Sequence, residues 1–139
     1  MSYLTAHITK IESVDALHVV TFDCAGQKLQ MVSLELPEVI HQGIKVKLAC
    51  KPTAVAVAKP TMDVESFYSM LSYSNQLKVE IASIEKGKLL SSLILSLGTF
   101  SLESMMGTNA VERLSLQEGE PVIALIKANE LSILEVLDD

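Results

Sequence analysis

The 139-residue chain has no tryptophan, and phenylalanine and tyrosine supply only 4% of it. Rings for stacking bases are therefore scarce, and the core must be aliphatic, built from Leu, Ile, Val, Ala and six Met. Two cysteines, Cys24 and Cys50, are too few for a disulfide scaffold and form no C-x-x-C pair. No apolar run approaches the ~20 residues of a membrane span, and no basic-then-apolar leader opens the sequence. Basic residues are also in deficit: eleven Lys and Arg face seventeen Asp and Glu, for a formal charge of −6. Such a surface offers no stripe for tracking a phosphate backbone. The expectation is a cytoplasmic protein with neither nucleic acid nor membrane as a partner.

Apolar residues are what the chain has in plenty. They make up 49% of it, enough to offset the entropy of ordering, so disorder is excluded. The charge is uneven. Residues 1–59 carry six Lys and five Asp or Glu, a net of +1, while residues 60–139 carry five Lys or Arg and twelve Asp or Glu, a net of −7.

An internal repeat organises the sequence. At a spacing of 73, Leu4 meets Leu77, Ile8 meets Ile81, Ile11 meets Ile84 and Glu12 meets Glu85. The same offset sets Val20, Phe22 and Cys24 against Leu93, Leu95 and Leu97. Beyond an insertion the offset becomes 76, which aligns Gly43 with Gly119, Val46 with Val122 and Lys51 with Lys127. The pattern predicts two copies of a module of about 60 residues: residues 1–59, a linker over 60–74, and residues 75–139.

Within each copy the apolar residues alternate as in half-buried strands. Leu17–Cys24 and Lys28–Ser33 flank Ala25-Gly26, a hairpin turn. A short helix follows, with Pro37 at its first position and Gly43 closing it in copy one, and with Asn109 as N-cap and Glu112 three residues on in copy two. Two further strands complete each copy. The predicted class is mainly β, as two tandem small five-stranded barrels of the OB type, each with one short helix. In the linker, Val64, Phe67 and Leu71 fall at helical spacing, with Asp63 as a cap.

Catalytic chemistry finds no footing. His7, His18 and His41 lie on unrelated elements with no metal-ligand spacing, and Cys24 and Cys50 sit in apolar strand runs as small core residues. No phosphate loop, nucleophile elbow or H-E-x-x-H occurs. Glu118 and Glu120 flank a turn glycine and read as solvated surface. The chain is expected to be no enzyme, with no catalytic residue and no metal site formed by its side chains. Lys51 and Lys127 remain, each ending an apolar strand ahead of Pro52-Thr53 or Ala128-Asn129. A cation there, beside free backbone N–H groups and hydroxyls, suits a small oxyanion, although a solvated lysine fits the same pattern.

The second copy resembles a molybdate-binding Mop module of the TOBE family. The matching features are Asn75-Gln76-Leu77, Ile84-Glu85-Lys86-Gly87, Val111-Glu112-Arg113-Leu114, Glu118-Gly119 and Ala124-Leu125-Ile126-Lys127-Ala128. The first copy is similar through Ile11-Glu12, Gly43 and Lys51-Pro52-Thr53. Together they resemble a tandem Mop protein.

The resemblance implies a ligand, molybdate or tungstate, bound at interfaces between modules without an organic cofactor. It implies intracellular storage, buffering or sensing of the oxyanion by a homo-oligomer. The implied ligand residues are Lys127, Ala128, Ser72, Ser74, Asn75, Gln76 and Thr108 in copy two, with Lys51, Thr53 and Ser33 in copy one. The family's opening motif Ser-Ala-Arg-Asn-Gln falls on Ser72 to Gln76, and its arginine is replaced by Ser74. Its Thr-x-x-Ser pair falls on Gly107 and Ala110. These departures define the alternative: a degenerate Mop/TOBE assembly module without ligand, or an accessory to a molybdate ABC transporter.

Overall fold

The computed structural model describes residues 1–60 and 64–137. The first half holds β1 (Ser2–Val14), β2 (Leu17–Cys24), β3 (Gln27–Ser33), β4 (Lys45–Cys50) and β5 (Ala56–Ala58). After α1 (Val64–Ser69), the second half holds β6 (Asn75–Lys86), β7 (Leu90–Leu97), β8 (Phe100–Gly107), α2 (Thr108–Arg113), β9 (Pro121–Ile126) and β10 (Leu131–Leu137). Alternation sends Leu4, Ala6 and Ile8 of β1, and Leu77, Val79 and Ile81 of β6, into the core. Ala25 and Gly26 both take positive φ, 51° and 79°, as a two-residue turn matched to the strand twist requires.

The two halves share a fine detail. Register slips between Ile8 and Lys10 where β1 meets β2, and between Ile81 and Ser83 where β6 meets β7, 73 positions further on. Each slip leaves one extra residue, a bulge that coils the long first strand.

The strands form two antiparallel five-stranded sheets, ordered β10-β4-β1-β2-β3 and β5-β9-β6-β7-β8. The fifth strand of each sheet therefore comes from the other half of the chain. Val57 of β5 pairs with Ala124 of β9, and Ile133 of β10 pairs with Leu48 of β4. The connectors explain why neither strand folds back on its predecessor. Each is a single 3-10 turn, Pro52–Ala54 or Ala128–Glu130, flanked by extended residues. Neither contains a positive φ, unlike the tight hairpins at Asp15, Ala25-Gly26 and Gly98. One apolar core, aliphatic but for Phe22 among its largest fully buried side chains, runs through both sheets, from Leu4 and Leu48 to Leu77, Leu95 and Ile126.

Local differences from expectation have local causes. Residues 34–44 form two successive turns instead of a helix, with Ile40 N–H donating to Pro37 C=O and Ile44 N–H to His41 C=O. The Ser33 hydroxyl engages both the N–H and the C=O of Glu35 just ahead of Pro37, a local turn that competes with helix initiation. In the second half α2 begins two residues earlier than expected, with Gly107 as N-cap and Asn109 inside the helix. The Asn109 side chain folds back over Gly107, where a Cβ would lie 2.6 Å from its Oδ1. The expected cap Asp63, and the side chains of Val64 and Phe67, lie outside the described residues. Leu71 joins Tyr68, Tyr73 and Ala58 in a small cluster against Ile123 and Leu125 of β9.

Candidate functional site

Each sheet curls until its edge strands approach, β3 toward β10 and β8 toward β5. At both seams a cleft opens. The first, about 610 Å³, is lined by Ser33, Glu35, Leu36 and Pro37 facing Leu131 and Ile133. The second, about 430 Å³, has Val55, Val57 and Met106 as apolar lining, with Thr53, Tyr73, Arg113, Lys127 and Glu130 as its polar groups. Val55 and Val57 precede Leu131 and Ile133 by 76 positions, and Ser33 precedes Met106 by 73. The clefts are one location repeated.

Their chemistry differs. Among the described residues the second cleft carries two cations and one carboxylate, the first only the carboxylate of Glu35. Lys10, Lys47, Lys59 and Lys86 are ion-paired to glutamates. Among the described residues neither Lys127 nor Arg113 has such a partner. Glu130 also faces the end of β4: burial first, and then its charge, push the Cys50 thiol up to about 11, against a smaller lowering by the N-terminal ammonium. Cys24 reaches about 11 through burial and then Asp23. Both cysteines are buried free thiols. Among the described residues no cluster of His, Cys, Asp and Glu has metal-binding geometry.

The residues singled out from sequence do not gather in one place. Lys127 and Thr53 meet in the second cleft, Thr53 arriving from the first half through the exchanged strand. Ser33 lines the first cleft, with its hydroxyl engaged by Glu35. Lys51 is exposed at the position equivalent to Lys127 and lines neither cleft.

Three others are committed to holding the fold. Asn75 is fully buried, and its amide bonds the backbone of Gln30 at 2.7 and 3.0 Å. Gln76 Nε2 donates to the carbonyls of Tyr68 and Tyr73, both at 2.9 Å. The Thr108 hydroxyl is buried between Gly87 C=O and Ser91 Oγ, 2.8 Å from each. Ser72 and Ser74 are exposed, and Ala128 is half-buried at the start of its 3-10 turn.

Arg113, Tyr73 and Glu130 are the cleft residues that the sequence reading passed over. Arg113 lay inside the motif Val111–Leu114, where it read as part of a helix. Only the folded seam places it opposite Thr53 and Lys127.

Residues 71–133 match the family model of the TOBE domain. The match lies within the second half of the chain. Around it, the whole chain has the fold of the cytoplasmic molybdate-binding protein ModG in a crystal form with molybdate bound. The identity is 24%, the likeness covers 94% of this chain and 93% of that one, and the TM-score is 0.83. A molybdate-binding protein from Sporomusa ovata is 28% identical over 47% of this chain and 97% of its own, with a TM-score of 0.45. No curated protein matches the chain. The matched residues supply α2, Lys127 and most of the second seam. The segment that completes that seam, Thr53 to Val57, lies outside the matched residues.

Proposed function

We propose that this protein binds a tetrahedral oxyanion, molybdate or tungstate, in the β5–β8 cleft, and holds or buffers it in the cytoplasm without transforming it. One observation carries the reading: Lys127 and Thr53 line one cleft although they come from opposite halves of the chain. A dianion there takes a charge-assisted hydrogen bond from the Lys127 ammonium and a neutral one from the Thr53 hydroxyl. The molybdate bound by ModG, whose fold this chain shares, supports the same ligand class.

Titration calorimetry with molybdate, tungstate and sulfate tests the proposal. Binding of the two metal oxyanions is expected, and Lys127→Ala should weaken it about tenfold, the loss of one charge-assisted bond. Absence of heat with all three anions would leave the chain an assembly module. Self-association is part of the proposal, since the hairpin tips present Leu17, Leu89 and Leu90 to solvent. Light scattering should show more than one chain per particle.

A further inference from the structure

We infer that Arg113 is a second cationic ligand in the β5–β8 cleft, and that this seam alone of the two takes an anion, one per chain. The inference rests on the oxyanion-binding reading above and assigns its residues and stoichiometry. The fold supplies its own control, because the two clefts share a backbone plan and differ in side chains.

Arg113 sits in the last turn of α2. That helix is fixed by the buried Val111 and by the Thr108 hydroxyl on Gly87 C=O. The neighbouring Glu112 is engaged by Lys86 at 3.2 Å, whereas the Arg113 guanidinium has no carboxylate partner among the described residues. It lines the cleft together with Lys127 and Thr53, against the single opposing charge of Glu130. In the first half the positions 73 and 76 residues earlier are Ile40 and Pro37, neither of which can carry charge. The counterpart of Lys127, Lys51, lines neither cleft, and among the described residues Glu35 is the only ionisable group lining that seam. The first cleft therefore repels what the second attracts. A guanidinium also presents paired, planar N–H donors that stay charged at every working pH, so it can span two oxygens of one tetrahedral anion while Lys127 contacts a third.

The test is calorimetric titration of the full chain with molybdate, comparing wild type, Arg113→Gln, Arg113→Lys and Ser33→Ala. Expected are one anion per chain, at least tenfold weaker binding for Arg113→Gln, an intermediate loss for Arg113→Lys, and no change for Ser33→Ala. In wild type, the Arg113 Nε–Hε resonance should shift on adding molybdate, a readout that does not depend on the variants folding. Wild-type affinity in Arg113→Gln, an unmoved Arg113 resonance despite binding, or two equivalents per chain with one lost in Ser33→Ala would each overturn the inference while leaving oxyanion binding intact. No binding by wild type would overturn both.

Discussion

Asn75 on β6 holds Gln30 on β3 by both ends of its amide, accepting from Gln30 N–H at 2.7 Å and donating to Gln30 C=O at 3.0 Å. Gln27 returns the grip, bonding Lys78 N–H and C=O at 2.8 and 2.9 Å. Two side chains thus do across the sheet boundary what a backbone ladder does within a sheet. The repeat-related contact is thinner: among the described residues Ser2, 73 positions before Asn75, makes one such bond, accepting from Glu103 N–H at 2.8 Å.

Asn75→Ala should therefore destabilise the protein far more than Ser2→Ala. It strips two hydrogen bonds from a fully buried site and leaves backbone groups unpartnered, at a cost of about 2–4 kcal/mol, against about 1 kcal/mol for Ser2→Ala. Scanning calorimetry should show Tm falling by roughly 10 °C for Asn75→Ala. Equal melting of the two variants would contradict the clamp.

Residues 75–137 expressed alone should dimerise. β10 lacks β4 there, and β9 lacks β5, but β9 of a second copy stands where β4 stood, since Ala49 and Leu125 are equivalent partners in the two registers. An exchanged dimer satisfies both strands at once. Size-exclusion chromatography with light scattering reads the outcome, and a folded monomer would mean that β10 can return to its own sheet.

Cys24 and Cys50 should react slowly with thiol reagents at pH 8 in the folded protein. Burial holds both near 11, above the ordinary 9.0, and the thiolate is the reactive form. The linkage has a definite sign. A thiol whose folded value is raised contributes stability that is fully present below pH 9 and lost as pH climbs toward 11, because the unfolded chain ionises first. Denaturant melts across that window should show stability falling, and a flat profile would show that the thiols are solvated.

Glu130→Gln should tighten molybdate binding about two- to fivefold, the usual scale for one exposed opposing charge. Titration at low salt measures it. Glu35→Gln, the matching change at the first cleft, should leave affinity unaltered.

Most of the strand framework was legible in the sequence because it is written locally, in the alternation of Leu4, Ala6 and Ile8 and in the Ala25-Gly26 turn. The exchange of β5 and β10 was not. A repeat makes the two possible hosts for each strand alike in pattern, so Val55–Val57 fits either sheet equally well on paper. Lys127 and Thr53 could be singled out as strand-end residues, but their meeting depends on the exchange. Asn75 and Gln76 were implied as ligand contacts by the family resemblance alone, and nothing in the sequence marks the Gln30, Tyr68 and Tyr73 backbone groups that their amides bond in the fold. Arg113 was hidden for a related reason: its partners are remote in sequence, and its own helix explains it locally.

The exchanged strand has a mechanical consequence. Cys50 of β4 pairs with Ser2 on one side and Leu131 on the other, so β1 and β10 run parallel with β4 between them. Pulling on the two ends of the chain draws Ser2 and Leu137 along the strand axis in opposite directions. Both ladders of β4 are then loaded lengthwise, all their hydrogen bonds at once, instead of being peeled one at a time. The first sheet should act as a force clamp, yielding in a single abrupt event.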